Sequence, residues 1–325
     1  MKDGKNRGID YLRISVTDRC NFRCVYCMPE EGIQTICHEE VLTFEEILTI
    51  CRSMAELGIK KVKLTGGEPL VRKGFCELVR GIHAIEGIEE ITLTTNGLLL
   101  ADQLDELIEA GITSINISLD TLDRERFKKV TRVDGLDKVL EAIHKTANSK
   151  LGRVKVNVLA AKGMNEDEWV QLAALTKDEP ITVRFIELMP IGMGSHMQPI
   201  KKEEILKVLE KAYGRMQPYY GRIGNGPATY YEIEGFKGKI GFISAVSDCF
   251  CESCNRVRLT SSGFLKLCLH SKKGLDLKTM LREGKSEEEI RKAIERAIIG
   301  KPDRHHFGDL NEEQLEDKMM SQIGG

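Results

Sequence analysis

Short apolar, β-branched runs alternate with amphipathic stretches along the first two-thirds of the chain. The runs cover residues 11–16, 61–65, 91–95, 114–119, 154–160 and 182–188. Each is the length of a strand and is bounded by turn-forming or charged residues. Between them, apolar positions recur at helical spacing over 75–85, 99–110, 136–147 and 167–177. Thr43, with Glu46 three residues on, is the N-cap of a further helix that Gly58 closes. Six strands alternating with helices predict parallel βαβ units, which right-handed crossovers wind into an open or partial barrel. The expected fold class is α/β, a partial (β/α)6 TIM-like barrel over residues 1–200, followed by an α+β extension over 201–325 that ends in helices at 275–283 and 287–299.

The unusual residues gather at the C-terminal ends of these strands, where parallel α/β barrels build their sites. Cys20–Cys27 follows the first strand, Gly66-Gly67-Glu68-Pro69 the second and Asn96-Gly97 the third. Ser118-Leu119-Asp120 follows the fourth and Glu187-Leu188-Met189-Pro190 the sixth. Singly, a Gly-Gly pair is a turn and a Ser or Asp a helix cap. Together on one edge they predict a site, with Gly66 and Gly67 allowing close backbone approach to a ligand and Glu68 taking the ammonium of an amino-acid ligand.

Cys20, Cys24 and Cys27 supply three thiols in eight residues. A structural zinc site needs four ligands and a ferredoxin run four cysteines. Buried core cysteines are the plainer reading, but Asn21, Arg23 and Tyr26 make a poor core segment. Three thiolates can hold a cubane iron–sulfur cluster with one iron left open, and an open iron implies chemistry.

This Cys-x3-Cys-x2-Cys loop, with Tyr26 before its last cysteine and Gly-Gly-Glu-Pro downstream, resembles the radical S-adenosylmethionine (SAM) superfamily. The resemblance implies a 4Fe-4S cluster on Cys20, Cys24 and Cys27 that chelates SAM, with Tyr26, Gly67, Glu68, Ser118 and Met189 lining the SAM site. Leu12-Arg13-Ile14-Ser15-Val16-Thr17-Asp18-Arg19-Cys20 is further similar to the signature of the MoaA family, the GTP 3′,8-cyclases of molybdenum-cofactor biosynthesis.

Cys251-Glu252-Ser253-Cys254 and Cys268 form a second three-thiol set. Alone, these residues also fit a zinc site completed by Cys249, His270 or an aspartate. The family resemblance implies a second 4Fe-4S cluster whose free iron meets the guanine of GTP. Asn255-Arg256-Val257-Arg258 follows, and in a strand Arg256 and Arg258 share a face. Such a pair is either solvated or holds an anion, and arginine suits phosphate because its planar fork donates bidentately. The resemblance implies that Arg13, Arg256 and Arg258 hold GTP and take part in catalysis, with Lys63, Thr94, Lys155 and Val257 as further contacts. No Walker-type loop is present, so GTP is expected as a substrate in a basic cavity. The implied reaction removes the ribose 3′ hydrogen with a 5′-deoxyadenosyl radical and closes the ring onto guanine C8.

The last residues, Gly324 and Gly325, are a terminus like any other or, by the resemblance, project into the site and are needed for activity. His305 and His306 lack ligand spacing and are expected in solvent, while Cys37, Cys51 and Cys76 are expected to be bystanders. A net charge of −2 argues against nucleic acid or an anionic membrane as partner. No apolar stretch is long enough to span a bilayer and no leader is evident. Ten cysteines without an export signal predict a reducing, cytoplasmic setting. The resemblance implies a flavodoxin- or ferredoxin-like reductant, cyclic pyranopterin monophosphate synthase as the next enzyme, and a monomer or homodimer. The competing expectation is a radical SAM enzyme that modifies peptides, although such enzymes carry more C-terminal cysteines.

Overall fold

A computed structural model of the chain describes residues 1–152, 154–221, 223–305 and 319–323. The six expected strands form in sequence order: β1 (Tyr11–Ser15), β2 (Lys61–Thr65), β3 (Glu90–Thr95), β4 (Ser114–Ser118), β5 (Val154–Ala160) and β6 (Ile181–Glu187). All adjacent pairs among them are parallel. Covering them are α1 (Phe44–Glu56), α2 (Phe75–His83), α3 (Leu100–Ala110), α4 (Arg124–Thr131), α5 (Leu136–Ala147) and α6 (Trp169–Ala174). Thr43 and Glu46 form the capping box that starts α1, and Ile47, Ile50 and Met54 seat it on the sheet.

Helix α4 was not expected. Phe127, Val130 and Thr131 are buried at helical spacing, but five of its eight residues are charged and only two are apolar, so the stripe is too short to stand out. Asp123 caps it through Arg126 N, and its last carbonyls turn out to anchor the first cysteine loop.

The extension contributes α7 (Lys202–Tyr213), β7 (Gln217–Tyr219), β8 (Thr229–Glu232), β9 (Lys239–Ile243), β10 (Arg256–Leu259), β11 (Phe264–Lys266), β12 (Gly274–Asp276), α8 (Leu277–Arg282), α9 (Glu287–Ile299) and α10 (Met320–Ile323). Its strands join the same sheet, in the order β12-β11-β10-β1-β2-β3-β4-β5-β6-β9-β8-β7. β10 lies parallel to β1 and β9 parallel to β6, so the extension grips the barrel at both edges. One hydrophobic core runs from Ile9 and Leu12 through Val183 and Phe242 to Val257 and Ile294.

Candidate active site

The inner face of the sheet encloses a cavity of about 530 Å³, and both three-thiol sets line it. Cys20, Cys24 and Cys27 follow the C-terminal end of β1. Cys254 precedes the N-terminal end of β10, which runs parallel to β1 with Tyr11 opposite Arg256. The two sets therefore lie at opposite ends of the same strands, separated by roughly 13 Å of strand rise plus their loops. The sequence placed its loops on one rim only, because it could not show which way β10 runs.

The first loop is held by backbone. Arg23 N and Val25 N donate to the carbonyls of Thr131 (2.9 Å) and Val130 (3.0 Å) at the end of α4. Arg132, at positive φ, donates from Nη1 to the Arg23 carbonyl. Cys27 N closes a turn on the Cys24 carbonyl at 2.9 Å, and Cys254 N does the same on Cys251 at 3.2 Å. None of the ten cysteines is in a disulfide. Burial, with Glu68 and Cys27 adding to it, pushes the Cys20 thiol up to about 12, and burial pushes Cys24 well above the usual thiol range. Bare thiolates are unfavourable here, and a cationic iron core among them removes that cost. The donor set thus fits a cluster held by three thiolates.

Gly66 and Gly67 serve the loop more than a ligand. A Cβ on Gly67 would fall 2.4 Å from the Arg19 carbonyl oxygen, and one on Gly66 2.6 Å from that of Thr17. Close packing of the second strand's loop against the cysteine loop needs both. Glu68 is held within the loops behind the cavity wall. Its carboxylate is 1% exposed, lies outside the cavity lining and accepts from Leu70 N, Thr95 Oγ1 and Asn96 N at 2.7–3.1 Å. Burial raises Glu68 to about 7. Through Asn96, whose Nδ2 donates to Asn21 Oδ1 (2.7 Å), the carboxylate orients the cysteine loop. Tyr26, Gly67, Ser118 and Met189 do line the cavity. Tyr26 Oη donates to Asp120 Oδ2 at 2.7 Å, and burial lifts Asp120 to about 6.

Between the thiol sets stands a layer of cations. Parallel registry sets Arg13 directly opposite Lys63 on one side and Arg258 on the other. Lys155, Arg184, Arg256 and Lys301 complete seven cations on the wall, against Glu90 and Asp120 as the only acids among the described lining residues. Burial, then neighbouring arginines, pushes Arg258 down to about 9. Burial also lowers Arg13 to about 10, and Lys63 well below the lysine range with help from Arg184, Arg13 and Lys155. Arg13 Nε and Arg256 Nε are buried with no hydrogen-bond partner among the described residues. A wall so charged requires a polyanion. Thr94 is on it, accepting from Asn116 Nδ2 at 3.2 Å. Val257 is not, because its side chain alternates to the other face of β10 and is 1% exposed in the core. Arg184, which donates twice to Asn157 Oδ1, was missed as one polar residue inside an apolar run.

Two segment-wide models match the chain: the Radical SAM superfamily over residues 14–176 and Molybdenum Cofactor Synthesis C over 181–307. The GTP 3′,8-cyclase of Clostridium perfringens strain 13 is 49% identical over 325 residues, all of both chains. That of Pelotomaculum thermopropionicum is 48% identical over 328 residues, again all of both. The chain belongs to the GTP 3′,8-cyclase family. Among solved structures, Streptococcus suis SuiB bound to SAM superposes with a TM-score of 0.62 at 13% identity, covering 87% of this chain and 68% of that one. SuiB bound to its precursor peptide SuiA gives 0.60 at 14% identity, covering 90% and 71%. At such identities the likeness is one of fold alone.

Several residues around the site were out of reach of sequence reasoning. Arg7 is buried and donates to Asp3 Oδ2 (2.6 Å) and to the carbonyls of Cys251 (3.0 Å), Pro302 (2.7 Å) and Asp303 (2.8 Å), stapling the second cysteine loop to the segment after α9. His305, expected in solvent, lies in the cavity wall with its backbone N on Cys251 Sγ at 3.4 Å. His270 is buried in the same wall. Cys51 and Cys76 are in the core and Cys37 is exposed, all away from the site. Gly324, Gly325 and His306 lie outside the described residues. Just before that pair, Met320 reaches the cavity wall and Ile323 is buried.

Proposed function

We propose that this chain is a radical SAM GTP 3′,8-cyclase, joining ribose C3′ of GTP to guanine C8 in the first step of molybdenum-cofactor biosynthesis. Its cofactors are two 4Fe-4S clusters and SAM. The observation that carries the reading is one cavity with a three-thiol set at each end and a cationic layer between. When bound, the first cluster and SAM supply the one-electron chemistry that starts the reaction.

The chain's own residues bind and place. Cys20, Cys24 and Cys27 hold one cluster and Cys251, Cys254 and Cys268 the other. Tyr26, Gly67, Ser118 and Met189 line the SAM site next to the first set. Arg13, Lys63, Lys155, Arg256 and Arg258, joined by Arg184, neutralise the triphosphate, while Thr94 and the backbone of Val257 flank the nucleotide. Packing on both sides of the cation layer turns the ribose toward the first set and the base toward the second, and that positioning supplies most of the rate. Gly324 and Gly325 contribute from the tail. Residues 1–200 thus carry radical generation and most of the triphosphate's cations, and 201–325 add the second cluster with Arg256 and Arg258. A flavodoxin or ferredoxin as reductant, delivery to cyclic pyranopterin monophosphate synthase and a cytoplasmic setting complete the proposal. No helix among the described residues is long and apolar enough to cross a membrane.

The test is anaerobic incubation of the reconstituted chain with SAM, reductant and GTP. Equal amounts of 5′-deoxyadenosine and cyclised nucleotide are expected. Deoxyadenosine formed while GTP stays intact would overturn the assignment.

A further inference from the structure

Cys249 is the one cysteine near the site that the cyclase reading leaves unused. Its thiol, that of Cys251 and a ring nitrogen of His305 all lie within 4.8 Å of one another. Ligand atoms around a single tetrahedral zinc sit roughly 3.5–4 Å apart, given metal–ligand distances of about 2.0–2.3 Å. Small side-chain rotations therefore close this set on one ion. Cys249 is exposed, so water can reach a fourth position. His305 is held beside Cys251 by its own backbone N, and Arg7 fastens both segments together through the Cys251 and Asp303 carbonyls. Two sulfurs and an imidazole are a borderline-soft donor set, the kind that selects zinc or its analogue cobalt over hard cations.

We propose that Cys249, Cys251 and His305 form a mononuclear site for a divalent zinc-like cation, which shares Cys251 with the second three-thiol set. The two cannot be filled together, because a thiolate bound to that ion is withdrawn from Cys254 and Cys268. The site is available only in the chain that lacks its second cluster. Metal bound there blocks cluster assembly at that end of the cavity and leaves the first loop untouched. The competition rests on the cluster reading above; the metal site itself does not.

The full-length, cluster-free, reduced chain is titrated anaerobically with Co2+. A sulfur-to-cobalt charge-transfer band with tetrahedral ligand-field bands is expected. Cys249→Ser and His305→Gln should each weaken binding at least about tenfold. Cys254→Ser and Cys268→Ser should leave it unchanged. An unaffected Cys249→Ser, or equal losses in Cys254→Ser and Cys268→Ser, would place the ion on the other thiols and overturn the site. Cys249 is exposed, so its variant folds. In a second arm, Zn2+ is added before cluster reconstitution. Iron should fall from about eight to about four per chain in the parent, from two cubanes to one, and stay near eight in Cys249→Ser. Equal iron with and without zinc in the parent, after a positive cobalt titration, would overturn the shared use of Cys251.

Discussion

Arg13 and Arg258 sit directly across from one another on adjacent parallel strands, two buried guanidiniums in one layer of the cavity wall. Arg13 adds to the lowering of Arg258, Arg256 and Arg184 add to the lowering of Arg13, and Arg13 keeps an Nε with no hydrogen-bond partner among the described residues. The free protein bears this repulsion, and a triphosphate relieves it. Arg13→Met should therefore leave thermal stability without GTP unchanged or higher, because replacing a buried charge by an apolar side chain is often stabilising by about 1–4 kcal/mol. GTP affinity should fall about tenfold to a hundredfold with the loss of charge-assisted bonds of about 1.5–3 kcal/mol. Melting curves and calorimetric titration check both; a large destabilisation of the free protein would contradict the account.

Lys63 gives a proton signature. Burial and neighbouring cations hold it well below the lysine range, so in the free enzyme it binds its proton weakly. A phosphate alongside raises that affinity, and GTP binding should take up protons and weaken as pH rises. Titrations near neutral pH in buffers of differing ionisation enthalpy measure the uptake, which Lys63→Met should reduce.

Asp120 makes stability depend on pH in the acid range. Its folded value near 6 stands above the ordinary 3.8. Below 3.8 the carboxyl is neutral in both states and costs nothing. As pH rises toward 6 the unfolded chain ionises first, so stability falls and then levels off. The span corresponds to about 3 kcal/mol. Asp120→Asn, which can still accept from Leu159 N, should remove that fall. Denaturant unfolding of the cluster-free chain at several pH values between 3.5 and 8 compares the two, and parallel curves would show that Asp120 is not the group.

Arg7→Ala removes the staple between the second cysteine loop and residues 301–303 and leaves Asp3 buried without its cation. Breaking such a pair costs about 3–5 kcal/mol. The variant should retain about four irons and the SAM-binding cluster's signature, losing the second centre first. Cys268→Ser should give the same iron count with little loss of stability, while Cys24→Ser should lose the other four irons together with SAM binding. Iron analysis and electron paramagnetic resonance with and without SAM distinguish them.

The barrel strands and most of their helices were legible because local periodicity sets them: β2, β5 and α5 match their expected limits, and the Thr43–Glu46 cap is in place. Arg256 and Arg258 share a face because strands alternate. Helix α4 was hidden by its charge, Glu68 by a network of three donors from three other positions, and Arg7 and Arg184 by looking like ordinary basic residues.

Chemistry that resides in spacing was fixed by the chain alone: three thiols per loop, two loops, and the alternating arginines. Tertiary structure decided what depends on strand order and direction. Only the parallel pairing of β10 with β1 sends the second thiol set to the far end of the cavity, stacks Arg258 on Arg13 and Lys63, and carries His305 back to Cys251. Such contacts join residues hundreds of positions apart, 245 between Asp10 and Asn255 and 296 between Arg7 and Asp303, and no local pattern encodes them.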